Sequence, residues 1–222
     1  MKFFPVLLFI LLFQSAFAQK DSVSNDYEHG ISKNGYMEGV WRYNDEPGVL
    51  ALMIDYSNAK ILFLKPDTNE FVIKIDGVWK KSKLDIHPRY IGTMHDFKMI
   101  PKFLNYPAQA RMNENAGTFS ISFEIDTLGK AGNYRAHNDI GDRCADEVIK
   151  ALSAMPNNWL SAKKDGKTYA AKYIIPITFK MSINNREISP KKVRKPQELP
   201  LATKLTDIGV HVLGISRTTE IH

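Results

Sequence analysis

The sequence predicts an α+β fold, and three patterns lead to that prediction. Residues 119–125 alternate between apolar and polar side chains, which is the period of a half-buried β-strand, and residues 169–181 repeat the alternation over a longer span. Between them, apolar residues recur at helical spacing over residues 144–155 until Pro156, which cannot continue a helix. We therefore expect a unit with the order strand, strand, helix, strand.

The predicted helix also decides how the lone cysteine is interpreted. Cys144 lies on the apolar stripe of the helix, so we expect a buried thiol and not a nucleophile, which would need exposure and a positive environment. Asp142 can cap the helix, and Asp146 and Glu147 fall in its first turn, where the helix dipole favours anions. With one cysteine, the chain cannot form an internal disulfide.

Residues 35–87 read as a small β-rich unit, because short apolar runs alternate there with turn signals. Trp41 and Trp79 are expected to be core aromatics of this unit. The preceding residues 19–34 are polar, and we expect them to form a loose, flexible N-terminus.

Residues 1–18 have the layout of a secretory signal peptide, with an apolar run and small residues before a cut after Ala18. The run is short for a membrane span, although an uncleaved anchor stays open as an alternative. Residues 183–222 form a basic, Pro-rich linker and tail, in which "DIGVHVLGI" could be one more strand. The charges of the linker are expected to be solvated, since no aromatic residues interleave for nucleic-acid stacking.

No catalytic, cofactor or metal motif emerges from the sequence. None of the six histidines pairs at the helical spacing of metal ligands, and phosphate-binding glycine loops and nucleophile elbows are absent. We therefore expect a protein that is not an enzyme and binds no cofactor or metal. An enzyme of unknown type stays open as an alternative, to be judged by whether His87, His95 and Asp96 converge in one pocket.

Residues 88–182 resemble the TonB C-terminal domain family in its Bacteroidetes-type version. Four blocks carry the resemblance: Tyr106-Pro107 with Ala110, "GTFSISFEIDTLGK", "DEVIKALSAMPNNWLSAKKDGK" and "YIIPITF". The resemblance implies a small antiparallel sheet packed by helices, with Trp159 over the helix end. An extra Asn between Pro156 and Trp159, and Leu160-Ser161 in place of Pro-Gly, depart from the family pattern.

The resemblance also implies a docking edge. In the family, the closing strand accepts a segment of an outer-membrane transporter as an added strand. Transferred to this chain, it predicts partner contacts at Lys172, Ile174, Pro176 and Thr178, and at Lys163 and Lys164 in the preceding loop. Pro176 independently favours an edge strand or a bulge, since proline cannot donate to a ladder. The alternative is that the N-terminal unit or "DIGVHVLGI" covers this edge.

The function expected from these observations is that of an exported, periplasmic, non-enzymatic protein-binding module connected with outer-membrane transport. Its partner would be an envelope protein, with a transporter segment as the first candidate. The resemblance implies that energy-transducing members of the family consist of a membrane helix, a Pro-rich spacer and then this domain. In this chain a β-rich unit takes the place of the spacer. The alternative is a transport accessory that an uncleaved leader tethers to the membrane.

Overall fold

The computed structural model describes residues 20–92, 99–100, 102–183, 186–187, 198–205 and 208–211. These residues form two main β-sheets, three two-stranded ladders and short helices. The helices are α1 (Ala108–Met112) and α2 (Cys144–Ala154), and residues 99–100 and 102–103 are also helical. In chain order the strands are β1 (Lys20–Ser24), β2 (Glu28–Lys33), β3 (Tyr36–Glu46), β4 (Val49–Asp55), β5 (Lys60–Leu64), β6 (Phe71–Ile75), β7 (Val78–Ser82), β8 (Arg89–Tyr90), β9 (Gly117–Ile125), β10 (Ala131–His137), β11 (Trp159–Leu160), β12 (Ala162–Lys164), β13 (Lys167–Tyr169), β14 (Ala171–Lys180), β15 (Ser182–Ile183), β16 (Arg186–Glu187), β17 (Thr203–Lys204) and β18 (Ile208–His211).

The first sheet is an antiparallel meander of β1 to β5 in chain order. Its small core is built on Trp41, Tyr43, Leu52 and Ile54, all of them buried. The indole Nε1 of Trp41 donates to the carbonyl oxygen of Ile31 at 3.0 Å, so its polar atom is satisfied. Trp41 is therefore the core aromatic that the sequence predicts.

The N-terminal residues differ from the prediction. Residues 20–33 form β1 and β2, where the sequence suggested a loose segment. The inward position of β2 next to Trp41 is Gly30, whose missing side chain leaves room for the indole ring. With glycine at that position, the strand lacks the apolar alternation by which a sequence reveals a half-buried strand.

The second sheet has the strand order β10-β9-β14-β6-β7, with β17 and β18 also paired to β14. The predicted β-rich unit of residues 35–87 is thus divided, because β6 and β7 lie in the second sheet and not beside β5. The pairing of Ala171 with Ile73 joins β14 to β6 across about a hundred residues, a contact that local sequence patterns cannot reveal.

Helix α2 covers one face of the second sheet, as its apolar stripe predicts. Cys144, Val148 and Leu152 are buried in the main core, and Ile149 and Met155 pack against it. The predicted cap is wrong, because the N-cap is Arg143 in a left-handed conformation without a side-chain hydrogen bond. Asp142 instead accepts hydrogen bonds from the amides of Asn113 and Asn115, at 2.7 and 2.6 Å, and so ties the helix start to the end of α1.

The thiol of Cys144 is fully buried, as predicted. Burial, assisted by the nearby carboxylates of Asp139 and Asp142, raises the pKa of Cys144 to about 12. In an unfolded chain the thiol would have its ordinary pKa of about 8.5. Between these two values the unfolded state binds fewer protons than the folded state, so stability falls as the pH rises.

We therefore expect the free energy of unfolding to fall by about 1.4 kcal/mol for each pH unit above about 9 through this group alone. The measurement is a series of urea titrations between pH 8 and pH 10.5. Cys144→Ala is the matched control, and it should lose stability less steeply because it lacks the titrating thiol. Equal slopes for both proteins would contradict the expectation.

The two sheets are joined through the short ladder of β8 and β11. Arg89 in β8 reaches the first sheet, where its Nη2 lies 2.5 Å from the Oδ1 of Asp45. Ile91 and Leu160 pack against the core around Trp41. The junction of the two sheets therefore carries both an ion pair and apolar contacts.

Candidate docking edge

Strand β14 is the central strand of the second sheet, and its side chains alternate between two faces. Tyr173, Ile175, Ile177 and Phe179 point into the core that α2 covers. The side chains of the intervening residues point to the opposite face. Along one edge, β9 pairs antiparallel with β14 over its whole length, from Ala171 opposite Ile125 to Phe179 opposite Gly117.

Three separate strands occupy the other edge of β14. β6 pairs with it at Ala171, β17 runs parallel to it beside Tyr173 and Ile174, and β18 runs parallel to it from Ile177 to Lys180. Of the two alternatives that the sequence left open, the structure shows the covered edge. Both segments that were named as possible covers of this edge pair with it: β6 comes from the N-terminal unit, and β18 comes from "DIGVHVLGI".

The predicted contact residues share this covered edge. The carbonyl oxygen of Ile174 accepts a hydrogen bond from the N–H of Leu205 at 2.9 Å. Because the backbone groups of successive strand residues point to opposite edges, those of Lys172, Pro176 and Thr178 face the same way as those of Ile174. The prediction that Pro176 lies on an outer strand or at a bulge is wrong. Pro176 sits in the central strand, between the residues that pair with β17 and those that pair with β18, where a missing N–H breaks neither pairing.

The side chains of these residues are engaged on the outer face of the sheet. The ammonium of Lys172 lies 3.3 Å from Glu124, and the hydroxyl of Thr178 lies 2.9 Å from that of Thr118. Ile174 is buried. The edge therefore offers main-chain groups for pairing, while its side chains already have partners within the sheet.

Trp79 is not a core aromatic, in contrast to the prediction. It is half-buried on β7, with the ammonium groups of Lys172 and Lys74 at 4.2 and 5.5 Å from its ring centroid. The alternation of β7 places Trp79 on the outer face of the sheet, which is the face that carries Lys172 and not the face that α2 covers. This arrangement is a cation–π cluster at the end of β14 where β6 joins it.

Lys163 and Lys164 are not brought to the covered edge. They lie on β12, whose hairpin with β13 packs against the segment that follows β7. The backbone of Lys163 bonds to Ile86 in both directions, at 2.9 and 3.2 Å, and the ammonium of Lys164 donates to the hydroxyl of Ser82 at 2.8 Å. Partner contact by these lysines stays a prediction.

Two residues that the sequence analysis did not single out lie at the starts of β10 and β11: Asn157 in the loop between α2 and β11, and Gly129 in the turn before β10. Asn157, within the Asn-Asn pair that departs from the family pattern, accepts from the N–H of Ala131 at 2.5 Å and donates to its carbonyl oxygen at 3.0 Å. Its side-chain amide thus bonds to the backbone of Ala131 as a neighbouring strand would, at the start of β10. Gly129, in the turn before β10, accepts from the N–H of Trp159 at 3.2 Å, which fixes the position of this buried indole.

The C-terminal segment supplies the other residues that the sequence analysis missed. The hydroxyl of Thr203 accepts a hydrogen bond from the N–H of Val72 at 2.7 Å, and Leu205 packs against the main core. A Thr-Lys-Leu tripeptide after a Pro-rich stretch gives no local signal of a strand, since the pairing is parallel and joins distant parts of the chain.

Of the three residues named by the enzymatic alternative, only His87 lies in the described part of the chain. His87 stacks on Phe71 with ring centroids 5.4 Å apart, and burial lowers its pKa. It lines a polar cleft of about 590 Å³ beside Thr203, whereas His95 and Asp96 lie outside the described residues. Among the described residues, no group of side chains could hold a metal ion, and no helix is long and apolar enough to cross a membrane.

Comparison with known proteins agrees with this geometry. Residues 103–181 match the family model of the Gram-negative bacterial TonB protein C-terminal. No curated protein and no solved structure matches the chain. The match begins before α1 and ends after β14, so it contains the β9–β14 pair and helix α2 and leaves out β6, β7, β17 and β18. Residues 103–181 of this chain therefore belong to the TonB C-terminal domain family.

Proposed function

We propose that the chain is an exported, non-enzymatic module of the bacterial periplasm that binds a segment of an envelope protein in connection with outer-membrane transport. The segment adds to the edge of β14 that carries the main-chain groups of Lys172, Ile174, Pro176 and Thr178. The observation that carries the proposal is that this edge, inside a TonB C-terminal domain, is completed by three short and separate strands. An incoming strand would replace β17 and β18 and keep their parallel direction.

The exchange is energetically plausible because the resident strands are short. β17 has 2 residues and β18 has 4, and each backbone hydrogen bond contributes about 1 kcal/mol net. A continuous partner segment could pair along residues 173–180 and would lack only the bond that Pro176, which has no N–H, cannot donate. Main-chain bonds of this kind supply the affinity in strand addition, and side-chain positions supply the selectivity.

The exchange can be tested with the full mature chain and a labelled peptide of residues 198–211. Leu205→Asp should release the resident strand, because it places a charge against the main core, and peptide affinity should rise about tenfold or more. Adding Thr178→Pro removes an N–H that faces this edge and should abolish the gain. Lys81→Pro on the outer strand β7 is the matched control and should leave binding unchanged, with the fold of each variant checked by circular dichroism.

The same variants identify the natural partner class. Outer-membrane transporters should be enriched from envelope extract by the Leu205→Asp chain and lost when Thr178→Pro is added. Equal capture by both chains, or a peptide affinity that Leu205→Asp does not raise, would refute docking at β14. N-terminal sequencing of the exported protein separates a released module, which begins at Gln19, from a tethered accessory.

A further inference from the structure

We propose that the docking edge selects its partner through two side chains: a hydroxyl at the position of Thr203 and a large apolar residue two positions later. This inference rests on the proposed strand exchange and names the chemistry of the segment that enters. The selecting groups are the N–H of Val72 and the core surface that Leu205 contacts.

Val72 lies where β6 separates from β14. The N–H of Lys74 donates to the carbonyl oxygen of Ala170 at 2.9 Å, and Ile73 pairs with Ala171. By strand alternation the N–H of Val72 faces the same side as that of Lys74. It does not reach a backbone acceptor of β14 but donates to the hydroxyl oxygen of Thr203, because β17 enters at this point.

Val72 is only 1% exposed, so water has little access to its N–H when the acceptor is removed. A buried donor without an acceptor is costly. The main chain of a strand that replaces β17 is engaged with β14, so the acceptor must come from a side chain. Serine or threonine at the position opposite Tyr173 supplies an oxygen at the right distance, whereas valine has the same shape and no acceptor.

Leu205 is the second determinant. Its N–H donates to Ile174, and its side chain packs against the main core. Thr203 and Leu205 are two residues apart, so both side chains point to the same face of the added strand. The preferred segment therefore has the pattern hydroxyl, any residue, large apolar residue, in one fixed register.

The selectivity for a hydroxyl comes from outside the matched domain. Val72 lies on β6, and the family match covers residues 103–181. The β6–β7 hairpin therefore adds a specificity element to a docking edge that the TonB C-terminal domain provides.

The test uses the full mature chain with Leu205→Asp and three labelled peptides of residues 198–211. These peptides carry threonine, serine or valine at position 203 and are otherwise identical. We expect the threonine and serine peptides to bind with similar Kd values and the valine peptide to bind about tenfold more weakly. A fourth peptide with alanine in place of Leu205 should also bind about tenfold more weakly.

A second measurement needs no peptide. In the full chain without Leu205→Asp, Thr203→Val should raise the hydrogen-exchange rate of the Val72 amide about tenfold, and Thr203→Ser should leave it near the original rate. If the valine peptide binds as tightly as the threonine peptide, the selectivity proposal is wrong and strand exchange stands. If no peptide binds at all, strand exchange fails, and the selectivity proposal fails with it.

Discussion

Replacing Gly129 by alanine is expected to lower the free energy of unfolding by about 3 kcal/mol or more. Gly129 has a φ of +75°, a conformation that costs an L-residue about 1 kcal/mol or more. A Cβ at this position would also lie 2.1 Å from the carbonyl oxygen of Trp159. That oxygen belongs to the backbone of β11, so the clash can be relieved only by moving the strand that holds the buried indole.

The measurement is urea unfolding of Gly129→Ala followed by circular dichroism and tryptophan fluorescence. Gly166→Ala is the matched control, because Gly166 has a φ of +74° and open space around the Cβ position. The free energy of unfolding of Gly166→Ala should fall only by the cost of the left-handed backbone conformation, about 1 kcal/mol. Equal losses for the two variants would show that the loop from Met155 to Trp159 yields to the added methyl group.

Gly30→Ala is expected to cost about 2–3 kcal/mol through a different mechanism. The φ of Gly30 is not in the left-handed region, and the problem is space: a Cβ would lie 2.1–2.5 Å from atoms of the Trp41 indole. Trp41 is 3% exposed and donates to Ile31, so a shift of the ring would disturb both its packing and this hydrogen bond. Overpacking of this kind forces either a strained rotamer or a displaced strand.

The unfolding of Gly30→Ala should be followed by tryptophan fluorescence. Gly132→Ala on β10 is the control, since Gly132 has ordinary φ and nothing within 4 Å of the Cβ position, and its stability should change little. A Gly30→Ala protein as stable as the original would mean that β2 can shift away from Trp41. Comparing the losses from Gly129→Ala and Gly30→Ala by far-ultraviolet circular dichroism tests whether the two sheets unfold together.

The sequence predicts the elements whose partners lie on one apolar face. Helix α2 and strands β9 and β14 follow from periodicity alone, because each buries a regular stripe in the same core. The family resemblance stated for residues 88–182 is confirmed by the match over residues 103–181. These are elements in which local pattern and tertiary environment agree.

The misses share a physical cause, which is that long-range pairing leaves little local trace. In β2 a glycine lies beside an indole where an apolar side chain would signal the strand, and Trp79 lies on the outer face beside the ammonium groups of two lysines. The assignment of Pro176 to an outer strand rested on its missing N–H, and a parallel neighbour interrupted at that residue makes the rule inapplicable. The candidate edge was predicted in the right strand. Two of its occupants, β17 and β18, come from residues about 30 positions further along the chain, and the third, β6, comes from about a hundred positions earlier.

The position of β17 and β18 has a consequence for the order of events as the chain is made. Proteins emerge amino-terminus first, at about 5–20 residues per second during synthesis. When the exported chain is translocated as it is made, β9, α2 and β14 enter the periplasm before Thr203 and Ile208, and for a second or more the edge of β14 lacks its resident strands. A partner segment that is present in this interval meets a vacant edge and competes with nothing. Loading during emergence would then be fast, while later exchange would require the resident strands to open first.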